Sequence, residues 1–124
     1  MSRFFLDSDV IIELFNGNQA TYRLIDKIKI KEPPSCSSLT LVEVKRGVKE
    51  HEKEIVDRFF DDLHIYPVDR VIAQKASDFC RGWRKKGKIL QLVDACIAAT
   101  CIINRFTLVT YNKRDYPMKE LRMI

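Results

Sequence analysis

Asp94 lies in an apolar stretch, with Leu90, Leu92, Val93, Ala95, Cys96, Ile97, Ala98 and Ala99 as neighbours. A lone buried carboxylate costs several kcal/mol, so it needs a partner. Three other acids stand beside apolar runs: Asp7 follows Phe4-Phe5-Leu6, Glu43 lies within Leu41 to Val44, and Asp115 comes soon after Phe106 to Val109. Carboxylates gathered at ~4–6 Å repel by a few kcal/mol at an effective dielectric near 20 unless a cation lies between them. An all-oxygen donor set suits Mg²⁺ or Mn²⁺. Such an ion, held by carboxylates, can activate water and stabilise charge on a phosphodiester. Each acid also has a plain structural reading. Asp94, Asp7 and Asp9 could be helix caps, Thr40 to Glu43 matches a capping box, and Asn112 with Asp115 could form a surface turn.

What separates these readings is whether the chain brings the acids to one place. Arg3 to Leu6 reads as a strand, and Asp7-Ser8-Asp9 introduces a helix through Phe15. Asn16-Gly17-Asn18 ends it, and Ala20 to Ile30 has helical spacing. After Pro33-Pro34, Ser35 to Ser38 reads as a strand, Thr40 to Val48 and Glu52 to Leu63 as helices, and His64 to Tyr66 as a third strand. Val71 to Lys86 is an amphipathic helix closed by Gly87. Leu92 to Ile103 is a helix apolar on nearly every face, with Asn104 suited to a left-handed cap. Phe106 to Val109 gives a fourth strand and Leu121 to Ile124 a fifth. Alternation of this kind predicts an α/β fold, a central parallel sheet of four to five strands with helices on both faces, whose ligands lie beyond the carboxyl ends of the strands. That edge is where Asp7, Glu43, Asp94 and Asp115 are expected.

The 124 residues, 46% hydrophobic and 31% charged with four Gly and four Pro, describe one packed domain over 1–124 and exclude collagenous and disordered chains. No apolar run is long enough for a bilayer, and the segment from Met1 to Asp7 lacks the pattern of a signal peptide, so a cytoplasmic protein is expected. Cys36, Cys80, Cys96 and Cys101 contain no CxxC pair and read as free thiols. A net charge of +5 suits an anionic partner. Lys45, Arg46 and Lys49 follow Glu43, and Arg84 and Lys85 belong to the basic cluster Arg81 to Lys88, in which Trp83 offers one ring for stacking if the anionic partner is a nucleic acid. The competing reading of that cluster is cations complementing a helix dipole, with Trp83 in the core.

In order and spacing, Phe5 to Val10, Ser38 to Glu43, Leu92 to Thr100 and Leu108 to Tyr116 resemble the PIN-domain family, in particular the VapC-like toxins of prokaryotic toxin–antitoxin pairs. The resemblance covers the whole chain. It implies a three-layer PIN-like fold and a Mg²⁺- or Mn²⁺-dependent endoribonuclease. Asp7, Glu43, Asp94 and Asp115 match the family's acidic quartet, and Thr110 and Asn112 the polar residues beside it. It further implies an RNA substrate, a homodimer and a cognate antitoxin. Apolar residues on the early helices, Leu14, Phe15, Tyr22, Leu24, Ile25 and Ile28, are expected to exceed what one sheet face needs and to serve the dimer. Three positions depart from the family: Asp9 stands where Asn is common, Asn104 where Gly is frequent, and Tyr116 where Phe is frequent.

Two rival readings differ in chemistry. One is a catalytically silent PIN-type module binding RNA or protein, against which the complete quartet speaks. The other is a phosphatase resembling the haloacid dehalogenases, with Asp7 of Asp7-Ser8-Asp9 as nucleophile. Val10, where that family places a small residue, and the short chain argue against it.

Overall fold

The computed structural model describes residues 3–124. Met1 and Ser2, which open the segment read as lacking a signal peptide, lie outside them. The chain runs β1 (Phe4–Leu6), α1 (Ser8–Phe15), α2 (Gln19–Lys31), β2 (Ser35–Ser37), α3 (Ser38–Lys45), α4 (Lys53–Asp61), β3 (His64–Tyr66), α5 (Arg70–Lys85), α6 (Leu92–Asn104), β4 (Thr107–Val109) and β5 (Arg122–Met123). Short 3-10 turns occupy Glu50–Glu52 and Lys113–Asp115. The strands form one sheet in the order β3-β2-β1-β4-β5, and every pairing is parallel. This is the expected three-layer α/β architecture.

Each strand is only two or three residues long, so the sheet depends on burial of both its faces. Side chains alternate across a strand: Leu6, Cys36 and Val109 pack beneath α1 to α4, whereas Phe5 and Leu108 pack against α5 and α6. Phe5 and Phe106 stack at 5.1 Å between ring centres, with Tyr66 edge-on to Phe106 at 5.0 Å. Helix α6 is buried along most of its length through Ala95, Ile97, Ala98, Ala99 and Cys101, which explains its nearly uniform apolar composition. Among the described residues, no helix is long and apolar enough to cross a membrane.

Four local expectations are corrected. Helix α3 begins at Ser38, where Ser37 caps it by accepting the Leu39 N–H at 3.1 Å. The Thr40 to Glu43 capping box therefore does not form; Thr40 is fully buried and Glu43 lies in the second turn instead of at the helix start. Asp94 is not a cap either, because α6 starts at Leu92 behind Gln91. Asn104 stays helical, its amide bonded to the Thr100 carbonyl at 2.9 Å, and Arg105 takes the left-handed position with φ 59°. The apolar stripe on α1 and α2 is mostly core. Ile25 and Ile28 are buried, Leu14, Phe15 and Leu24 pack against them, and Tyr22 alone of the six is exposed.

Arg105 has a backbone that costs a non-glycine residue about 1 kcal/mol, partly balanced by the greater chain entropy a glycine loses on folding. Arg105→Gly is therefore expected to stabilise the protein by about 0.5 kcal/mol. Urea unfolding with an unchanged slope should show a higher midpoint; a lower one would contradict the strain assigned to this cap.

Candidate active site

Parallel pairing of Leu6 with Val109 sets the two residues that follow them, Asp7 and Thr110, side by side at the carboxyl edge of the sheet. Asp7 caps α1, its Oδ1 accepting the Ser8 N–H at 2.8 Å. Its Oδ2 accepts two hydroxyls at 2.8 Å each, from Thr110 and Tyr116. Only 7% of Asp7 is exposed, and burial raises its pKa against the lowering effect of these three donors.

The other acids reach this point from separate elements. The Ser8 hydroxyl, at the start of α1, donates to Glu43 Oε1 on α3, so α1 packed on α3 carries Glu43 to the same edge. Asp94, in the first turn of α6, lies 3.3 Å from the Tyr116 hydroxyl through its Oδ1. Partial burial lifts the Asp94 pKa to about 6, reinforced by the negative charges of Asp7, Asp115 and Glu43. The direction of this shift is that of a carboxyl group lying near other carboxylates. Asp115 is exposed on the rim, carried by the turn Lys113–Asp115.

Asn112 and Asp9 have a different task. Asp9 Oδ2 accepts the Tyr111 N–H at 3.0 Å and the Asn112 side-chain amide at 2.8 Å, while the Asn112 N–H donates to Thr110 Oγ1 at 3.1 Å. Asp9 thus ties the segment after β4 to α1, and Asn112 braces Thr110. Burial and the nearby Asp7 charge lift the Asp9 pKa to about 6.

The expected basic residues are not all placed alike. Lys45 turns to α4 and pairs with Asp57 at 2.8 Å, and Lys45 and Lys49 line a hollow with Lys53 and Asp57 instead of facing the acids. Arg46 is exposed beyond the end of α3. Arg84 and Lys85 are exposed at the end of α5, and Lys88 in the following turn donates to the Arg114 carbonyl at 3.3 Å, which joins this basic end to the rim that carries Asp115. Trp83 is no free stacking ring: it packs on the core, with Lys86 over it at 4.5 Å. His51 and His64 are exposed.

Sequence reasoning missed Ser8 and Tyr116. Ser8 had no signal beyond lying between two aspartates. Tyr116 had one, a hydroxyl where the resembling family frequently has Phe.

Among the described residues, no three His, Cys, Asp or Glu side chains are gathered closely enough to grip an ion as they stand. The donor set nonetheless fits a hard divalent cation, since it is all carboxylate oxygen and its members repel one another. Asp7 is buried, whereas Glu43 and Asp94 are half-buried and Asp115 is exposed.

A parallel α/β sheet with an acidic cleft at the carboxyl ends of its middle strands defines the class of protein: a three-layer fold with its site at the topological switch point. The chain belongs to the PIN-domain family, whose sequence profile matches residues 4–121. It is 30% identical over 115 residues to Ribonuclease VapC10 of Mycobacterium tuberculosis, covering 93% of this chain and 86% of that protein. It is also 30% identical over 118 residues to Ribonuclease VapC1 of Methanocaldococcus jannaschii, covering 93% and 79%. Among solved structures it resembles VapBC2 from Rickettsia felis bound to a promoter DNA fragment, with a TM-score of 0.86 at 20% identity over 98% of this chain and 96% of that one. A toxin–antitoxin complex from Klebsiella pneumoniae gives 0.81 at 24% identity over 99% and 96%.

Raised carboxyl values make a stability prediction. Because Asp94 has a folded value of about 6 against 3.8 in the free side chain, ionising it opposes folding. The penalty is absent below about pH 4, grows as pH rises and is complete above about 6. Asp94→Asn should therefore melt a few degrees higher than wild type at pH 7.5 in EDTA, with the gain shrinking toward pH 4.5. A variant that melts lower at pH 7.5, or gains equally at both values, would contradict the repulsion assigned to this cluster.

Proposed function

We propose that the protein is a Mg²⁺- or Mn²⁺-dependent endoribonuclease and the toxin of a toxin–antitoxin pair. The observation that carries this reading is the buried Asp7 carboxylate at the sheet's carboxyl edge, held by Thr110 and Tyr116, with Asp94 3.3 Å from the same Tyr116 hydroxyl and Glu43 bonded to the neighbouring Ser8. Support comes from the relatives named ribonucleases and from the toxin–antitoxin complexes with the same fold.

Asp7, Asp94, Glu43 and Asp115 would hold the cation, which when bound supplies Lewis acidity toward a phosphodiester and activation of water. The chain's own groups prepare the cleft for it. Thr110 and Tyr116 fill Oδ2 of Asp7, leaving the unfilled lone pair on Oδ1. Ser8 restrains Glu43, and the bond between Asp9 and Asn112 keeps Thr110 in place. Lys88, bonded to the Arg114 carbonyl beside Asp115, and the exposed Arg84 and Lys85 at the end of α5 would attract the RNA backbone, leaving the acids to the ion. Lys49 and Arg46 would act only at longer range.

A cognate antitoxin and a homodimer belong to the same reading. Tyr22 and Ile30 on α2, 58% and 79% exposed, are apolar residues left over for a protein partner after the core is filled. Cytoplasmic residence suits an enzyme whose substrate is cellular RNA.

Asp7→Asn should leave the protein folded and remove divalent-dependent RNA cleavage by about 1000-fold or more, since losing the ion forfeits several kcal/mol of transition-state stabilisation. The check is a gel assay of a mixed RNA pool with Mn²⁺, with Mg²⁺ and with EDTA, followed by sequencing of the new RNA ends. Equal cleavage by Asp7→Asn, or cleavage in EDTA, would overturn the assignment.

A further inference from the structure

Tyr116 is 97% withdrawn from solvent, its ring set in the core that backs α6. A buried phenol needs an acceptor, and a backbone carbonyl would suffice. Here the hydroxyl instead reaches a carboxylate that already accepts Thr110, and a second carboxylate lies within 3.3 Å of it. The hydroxyl carries one proton. At 2.8 Å its bond to Asp7 Oδ2 is the well-formed one, and Asp94 Oδ1 takes the longer approach. The ring is locked by packing, so both carboxylates are measured from one fixed oxygen.

We propose that Tyr116 is a positioning residue for the divalent cation: its hydroxyl, approaching Asp7 and Asp94 from the core side, fixes the spacing and orientation in which they meet the ion. This rests on the metal-dependent reading above. Groups that orient a metal's ligands from behind typically govern affinity by 10- to 100-fold. Tyr116 bonds Oδ2 of Asp7 and does not compete for Oδ1, which accepts only the Ser8 N–H. It also anchors the rim, because Asp115 directly precedes it and the Tyr116 N–H closes the short turn onto the Lys113 carbonyl at 3.0 Å. The side chain thus reaches two of the four acids, and its backbone N–H closes the turn that carries a third. A Phe at this position would fill the same space and keep the turn's backbone bond, but would lose the hydroxyl's hold on Asp7 and Asp94.

The test is calorimetric titration of MnCl₂ into the full-length protein at pH 7.5, comparing wild type, Tyr116→Phe and a core control, Ile97→Val. Melting curves in EDTA accompany each, and counting free Mn²⁺ by electron paramagnetic resonance gives a second measure of affinity. The expected result is about tenfold weaker Mn²⁺ binding by folded Tyr116→Phe, whatever its melting temperature. Ile97→Val should melt lower with unchanged affinity, which separates positioning from a merely structural role. Equal or tighter Mn²⁺ binding by Tyr116→Phe overturns the proposal and leaves the nuclease reading standing. A wild-type protein that binds no Mn²⁺ overturns both.

Discussion

Asp7 ends the middle strand of the sheet with 7% of its surface exposed, and an ionised carboxylate buried there costs several kcal/mol unless donors surround it. Much of the surrounding architecture supplies those donors. The parallel register of β1 with β4 delivers Thr110, the first turn of α1 delivers the Ser8 N–H, and the turn after β4 returns Tyr116 beneath them. Moving β4 by one residue would turn Thr110 to the other face and leave Asp7 short of a partner. The sheet's register is thus tied to the chemistry of its edge.

Donors to one carboxylate do not remove the repulsion among four. Asp94 feels Asp7, Asp115 and Glu43 together, and Glu43 is restrained by Ser8 instead of by a cation of the chain. No lysine or arginine is paired with these acids among the described residues; the ion pairs there join Lys45 with Asp57, Arg58 with Glu54 and Arg81 with Asp78. The cleft keeps its negative charge while basic residues gather at the end of α5 and on the adjoining turn. An anionic polymer and a divalent cation are complementary to these two surfaces.

The layer order and the position of every strand were legible because turn residues and changes of hydrophobic period mark the boundaries. The edge at which the acids meet was legible too, since a parallel α/β sheet puts ligand sites at the carboxyl ends of its strands. Local capping was less so. Ser37 and Ser38 are equivalent by type, so sequence alone does not tell which one caps the helix; in the structure it is Ser37. Asn104 prefers the left-handed position, but its side chain bonds back to Thr100 and the helix runs one residue further. Lys45 stands two residues from Glu43 in sequence, yet helical geometry sends it toward α4 and Asp57. Ser8 and Tyr116 escaped because their importance lies in contacts 35 and 109 residues away.

The central claim is that these carboxylates form one cation site. Crystals of the protein soaked in MnCl₂ and measured at the manganese absorption edge test it most directly. The account predicts an anomalous peak bonded to Asp7 and Asp94, with Glu43 or Asp115 turned toward it. A well-ordered cleft with no peak, or manganese bound only elsewhere on the surface, would contradict it.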